Sequence, residues 1–227
     1  MNLQAAGNCI TQDAWICPKY LRRDSGVITD SLIQHIKLSA FALAIALLLA
    51  IPLAALALRS AWLHSAILAT LGIVYTIPSL ALFVLLQPVF GITHATPVII
   101  ALVAYAQLLL VRNIVVGLEE VPPDAVEAAR GLGYTPARLM TRVRLPLALP
   151  AILAGLRVTA VSTISLLTIG GLIAQGGLGQ LLYDGFQNEH NYQVLTAVVL
   201  IVLLGLAADL LILGLQRVVT PWERARR

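Results

Sequence analysis

A chain of 227 residues that is 59% hydrophobic and 11% charged, with mean hydropathy +0.89, is not a water-soluble domain, since those carry roughly 25% charged residues. The composition calls for an all-α, polytopic membrane protein, and the length suits about four to six spans of about 20 apolar residues each. No room is expected for a second globular domain, and the absence of a Gly-x-x-x-x-Gly-Lys-Ser/Thr phosphate loop argues against a fused nucleotide-binding domain. The net charge of +4 is no nucleic-acid signature: thirteen of the fifteen basic residues are arginine, and most lie in two short segments beside apolar runs.

Residues 1–31 are mixed and polar, with Asp13, Lys19, Arg22, Arg23, Asp24 and Asp30. They read as a surface tail without the continuous apolar core of a signal peptide. A short helix from Asp30 leads into a first span that starts at Leu32 or Leu38, is kinked by Pro52 and ends at Leu58. A second span covers 65–86, interrupted at Pro78, and Gln87 to Thr96 reads as a loop. The third span, 97–116, carries Arg112 and Asn113 near its end. After a polar island over 117–145, Pro146 and Pro150 open a fourth span reaching Ala174. Gln175-Gly176-Gly177-Leu178-Gly179 and a polar stretch to Tyr192 precede a fifth span over 193–215. The membrane domain is thus 32–217, with a tail at 218–227.

Charge sets the orientation. With the island and the C-terminal tail in the cytoplasm, that side holds Arg59, Arg112, Arg130, Arg138, Arg142, Arg144, Arg217, Arg224, Arg226 and Arg227. The other side holds Lys19, Arg22 and Arg23, with Lys37 near the boundary. Excess arginine marks the cytoplasmic face, so the N-terminus is expected outside. Cys9 and Cys17 would then face an oxidising space; a disulfide and two inconsequential small residues are both open readings.

The island has its own internal logic. Asp124 and Glu127 fit a capping box, with Pro122 and Pro123 blocking earlier initiation, so Glu127 is either a helix cap, a partner contact, or both. Gly131 and Gly133 end that helix. Thr135 then caps a second helix with Pro136 at its first position, carrying Arg138, Arg142 and Arg144 and stopping at Pro146. The product is an elbow below the bilayer, with Ala128, Ala129 and Gly133 exposing backbone for close approach. The bland alternative is a positive loop that fixes topology by attraction to anionic membrane lipid.

The spacing Glu127-Ala128-Ala129, three residues, Gly133, nine residues, Val143, one residue, Leu145-Pro146 resembles the cytoplasmic "EAA" loop of bacterial ABC importer permeases. Further runs are similar to the osmoprotectant branch for glycine betaine, carnitine and choline. They are Gln34-His35, Tyr75-Thr76-Ile77-Pro78-Ser79-Leu80-Ala81-Leu82, Leu145-Pro146-Leu147-Ala148-Leu149-Pro150, Gly155-Leu156-Arg157 and Gly176-Gly177-Leu178-Gly179. Methionine and phosphonate importer permeases share the Gly-Gly-Leu-Gly element and the short five-span layout. The resemblance implies a type I permease fold in the bacterial inner membrane. It makes Glu127, Ala128, Ala129, Gly133, Arg138, Leu145 and Pro146 the surface that couples to an ATPase subunit. The implied partners are two ATPases, a second permease (copy or paralogue) and an extracytoplasmic solute-binding protein. ATP and Mg would sit on the ATPase, and this chain would carry neither catalytic nor metal-binding residues.

Within the spans, Arg157 and Asp209 lie at similar depth, about 10–15 Å above the cytoplasmic boundary, so an ion pair is the leading reading and snorkelling of Arg157 its rival. Tyr75, Thr76, Ser79, Gln107, Thr159, Ser162, Thr163 and Ser165 could line a solute path, or simply bond helix backbones. Only Tyr75 and Tyr105 could add an aromatic face for a quaternary ammonium. His35, His64, His94 and His190 are scattered without metal-ligand spacing, and Asp184, Glu189 and His190 read as a solvated loop. An intramembrane enzyme and a non-transporting scaffold subunit are the alternatives from other classes.

Overall fold

The computed structural model describes residues 9–10, 12–90, 95–173 and 176–222. His94, Ala174, Gln175, Arg224, Arg226 and Arg227 lie outside them. The described residues form ten α-helices. They begin with α1 (Pro18–Arg23), α2 (Ser25–Ala57), α3 (Ala61–Thr76), α4 (Ser79–Phe90) and α5 (Thr96–Glu119). Next come α6 (Pro123–Gly131), α7 (Pro136–Leu139), α8 (Leu145–Gly170), α9 (Gly177–Gln187) and α10 (Asn191–Val219). Four helical stretches are long and apolar enough to cross a membrane, and a fifth span results if α3 and α4 count as one, broken sharply at Ile77-Pro78.

Several boundaries differ from the sequence reading. The first long helix starts at Ser25 rather than Asp30, and α1 already makes part of the tail helical. The expected loop at 87–96 is helical through Phe90; the fixed φ of Pro88 is already close to helical, so the last turn continues through it at the cost of one backbone hydrogen bond. The supposed polar stretch before Tyr192 contains α9, which buries Leu178 and Leu181 and keeps Asp184 bonded to Gln180 on the preceding turn.

Two compact units emerge, each assembled from three chain segments. One comprises Met1–Ala42, Ile77–Leu102 and Ser162–Leu206. Its core joins Cys17, Tyr20 and Ile28 to Leu178, Leu181, Tyr192 and Ala197. Cys9 and Cys17 form a disulfide. The loop it closes brings Asp13 to the start of α10, where the Asn191 N–H donates to Asp13 Oδ1 at 2.7 Å and the Asn191 amide donates to Oδ2. An acceptor there satisfies a helix-terminal donor and complements the helix dipole. Tyr20 packs on Tyr192 with ring centroids 4.8 Å apart, and burial, assisted by Asp24, pushes its hydroxyl up to about 12, so it stays neutral.

The Gly-Gly-Leu-Gly turn of this unit shows why those positions lack side chains. Gly176 and Gly177 have φ of +80° and +69°, which L-residues avoid. The Gly177 N–H donates to Gln34 Oε1 at 2.9 Å. A Cβ on Gly171 would lie 2.0 Å from the Gly179 backbone, and one on Gly179 would lie 2.3 Å from the Thr168 carbonyl oxygen. His35 is fully buried beside this turn, with Nε2 3.1 Å from the Ile164 carbonyl oxygen.

The other unit comprises Leu43–Thr76, Val103–Val161 and Ala207–Arg227. Its core rests on a stripe of small residues on α2, Ala46, Ala50, Ala54 and Ala57, packed with Ala106, Leu110, Val111 and Ile114 of α5. Small side chains let helix backbones approach closely inside lipid, where packing replaces the hydrophobic effect as the cohesive force. The same core continues into Val126, Ala129 and Leu139, so the polar island is anchored to the spans of this unit.

Candidate functional site

The island builds a fixed elbow from local signals. Helix α6 starts with Pro123 at its first turn and Pro122 as N-cap, and no side chain caps it. The expected Asp124–Glu127 capping box is therefore absent: Pro123 takes the first helical position, which moves Asp124 inside the helix, where its charge still favours the N-terminal dipole. Glu127, Ala128 and Arg130 are exposed. Ala129 is not exposed as expected; it is 5% accessible and shares the buried face of α6 with Val126.

The end of α6 is a Schellman motif. The Tyr134 N–H donates to the Ala129 carbonyl at 3.1 Å and the Gly133 N–H to the Arg130 carbonyl at 2.9 Å. Gly133 takes the left-handed residue of that motif, with φ +77°. It is exposed, and a Cβ there would meet nothing within 4 Å. Leu132, beside it, is 77% accessible. A leucine between two glycines in a polar segment was the available signal for a projecting apolar contact, and the sequence reading passed over it. Thr135 caps α7 as expected, accepting from the Arg138 N–H with Pro136 following. The Arg138 guanidinium lies 4.9 Å from the centre of the Tyr134 ring, a cation–π contact that holds both at the elbow.

The second arm of the elbow does not stop at Pro146. α7 passes through a π-helical turn at Met140–Arg144 into α8, giving continuous helix over Pro136–Ile173. Pro146 breaks an α-helix because its ring meets the carbonyl four residues back. The wider π-turn just before it relaxes that clash. Leu145 is 43% accessible and Pro146 half-buried at this junction.

Inside the span region, Arg157 and Asp209 form a bidentate pair: Nε to Oδ1 and Nη2 to Oδ2, both 2.8 Å. Both side chains are 28% accessible, and the fork geometry directs each N–H at one carboxylate oxygen. Of the pathway candidates, Tyr75, Thr76, Gln107 and Thr159 belong to the unit just described, and Ser79 and Ser162 to the other. Tyr75 is exposed and meets Tyr105 edge-on, with ring centroids 5.7 Å apart. Thr76 bonds the Ile73 carbonyl of its own helix. Gln107 is 5% accessible and donates to the Ala46 carbonyl at 3.0 Å, which makes it helix-to-helix glue. Thr159 and Thr163 are buried, the former donating to the Gly155 carbonyl at 2.8 Å. Ser79 and Ser162 are half-buried and Ser165 is exposed. Among the described residues no cluster of His, Cys, Asp and Glu could hold a metal ion.

Apolar helices long enough to cross a membrane, with an amphipathic elbow fixed to one unit, define a multi-pass membrane protein. The chain belongs to the family of binding-protein-dependent transport system inner membrane components, whose model matches residues 42–225. It is 35% identical over 206 residues to the osmoprotectant import permease protein OsmW of Salmonella typhimurium, covering 89% of this chain and 96% of that one. It is 30% identical over 203 residues to the choline transport system permease protein OpuBB of Bacillus subtilis, covering 89% and 93%. A crystal form of the inward-facing MetNI methionine ABC transporter has a chain of the same fold. Its TM-score is 0.79 at 23% identity, covering 87% of this chain and 98% of that one.

Proposed function

We propose that this chain is the membrane path of an ATP-driven importer for a quaternary-amine osmoprotectant such as glycine betaine, choline or carnitine. The observation that carries the solute class is the near full-length similarity to an osmoprotectant import permease. The chemistry agrees: a permanently cationic or zwitterionic solute suits a neutral path, and Asp209 is already neutralised by Arg157. A phosphonate path would call for an unpaired arginine at that depth. Uptake of labelled betaine, carnitine and methionine by a strain lacking its other importers tests the assignment. Quaternary-amine uptake that rises under osmotic stress is the expected result. Methionine uptake alone would replace the solute and leave the permease role standing.

In this reading the elbow around Glu127, Ala128, Gly133 and Arg138 docks on an ATPase, which holds ATP and Mg, while a second permease and an extracytoplasmic binding protein complete the assembly. Ala129 supports the docking face from beneath, and Leu145 and Pro146 join it to the fourth span. The N-terminus faces outside and the C-terminus the cytoplasm. After reduction, an impermeant thiol reagent is expected to label Cys9 or Cys17 in intact cells and to miss an Arg226→Cys variant. The reverse pattern would invert the topology and remove the elbow from the cytoplasm.

A further inference from the structure

The tail before the first span carries an arrangement to which none of the roles proposed above gives a use. Trp15 and Ile16 project from the disulfide-closed loop with 58% and 76% of their surface accessible. They are not part of any helix long enough to cross a membrane. On the helix that follows, Lys19, Arg22 and Arg23 stand at i, i+3 and i+4, which places them on one face. That face, with Pro18, lines a hollow of about 500 Å³. The helix itself is held in place, because Tyr20 is buried against Tyr192 and Cys17 is bridged to Cys9. Arg23 shares its Nε with Asp24 at 2.9 Å, while Lys19 and Arg22 have no carboxylate partner among the described residues.

Asp13 of the same loop is bonded to Asn191, the first residue of the last span, and tryptophan near the end of a span belongs at the headgroup level of a bilayer. Basic side chains held at that level attract anionic headgroups. We infer that Pro18, Lys19, Arg22 and Arg23 form a binding site for the phosphate headgroup of an anionic phospholipid, with Trp15 and Ile16 resting on its acyl chains. A soluble phosphate would use the cations but would leave the apolar pair without a role, so the occupant is a lipid. In the proposed topology the site accounts for a cluster of three basic residues on the side where arginine is otherwise sparse. It is independent of the transported solute.

Tryptophan fluorescence tests it on the full chain. The protein has three tryptophans, so Trp62→Phe with Trp222→Phe leaves Trp15 as the sole emitter. The chain is reconstituted into phosphatidylcholine vesicles containing a minor fraction of either brominated phosphatidylglycerol or brominated phosphatidylcholine. Quenching of Trp15 is expected to be stronger with the brominated anionic lipid. Replacing Lys19, Arg22 and Arg23 together by glutamine is expected to bring the two quenching levels to a ratio of one. The charge-preserving set Lys19→Arg, Arg22→Lys and Arg23→Lys keeps the preference. A ratio of one in the parent, a preference that survives the glutamine set, or equal loss in both sets overturns the inference. So does removal of the preference by inorganic phosphate at constant ionic strength, which would assign the site to a soluble anion.

Discussion

Gly133→Asp is expected to abolish uptake while the protein remains in the membrane at close to its normal amount. Position 133 has φ +77°, and aspartate enters the left-handed region more readily than most residues, so the cost to this chain's own fold is about 1 kcal/mol. Space is no obstacle, because a Cβ there meets nothing within 4 Å. Under the proposed docking, the damage falls on the docked state. A carboxylate forced into a close backbone contact without a partner costs on the order of 3 kcal/mol, which weakens docking more than a hundredfold. Gly133→Asn has the same shape and a similar backbone cost without the charge, so it should keep measurable uptake. Initial uptake rates divided by the amount of membrane-inserted protein make the comparison. Normal transport by the aspartate variant would remove Gly133 from the coupling surface.

Breaking the Arg157–Asp209 pair from either side is the second large effect. Arg157→Met or Asp209→Leu leaves one charge without its bidentate partner in the span region, and each single variant is expected to unfold at a lower temperature than the parent. The double variant leaves no stranded charge and is expected to recover most of the loss and retain uptake, because the pair holds α8 to α10 and need not touch solute. Thermal unfolding of the purified variants forms the double-mutant cycle. A double variant no more stable than the worse single would show that the two groups do not act as a pair.

The parts of this structure that were legible in the sequence are those decided within a few residues. Thr135-Pro136 names its own helix start, and Gly133 its own helix end, because cap and left-handed turn are local demands. Matching depths along two helices brought Arg157 and Asp209 together on paper, since rise per residue converts position into height. Local rules misled where two of them competed. Asp124 could cap only if Pro123 did not take the first helical position. Pro146 could end a helix only if that helix stayed α. The exposure of Ala129 was misjudged because a short motif does not reveal which face of α6 the spans will claim; Val126, three residues earlier, was the clue. Contacts such as Gln34 with Gly177, 143 residues apart, and Asp13 with Asn191, 178 apart, have no periodic signature. They follow from topology, which one chain's pattern of apolar residues does not encode.

The unbroken helix from Pro136 to Ile173 changes what a push at the elbow can accomplish. A flexible joint at Pro146 would absorb a small displacement as slack. Hydrogen-bonded helix does not, and at 1.5 Å per residue this one is a strut of roughly 55 Å. In the proposed docking, motion imposed near Thr135 would pass into the fourth span through continuous helix rather than through a joint. Along that helix the register departs from α twice, in the π-turn at Met140–Arg144 and in the 3-10 turn at Gly171–Ile173, so the angle of any such stroke is set near its two ends.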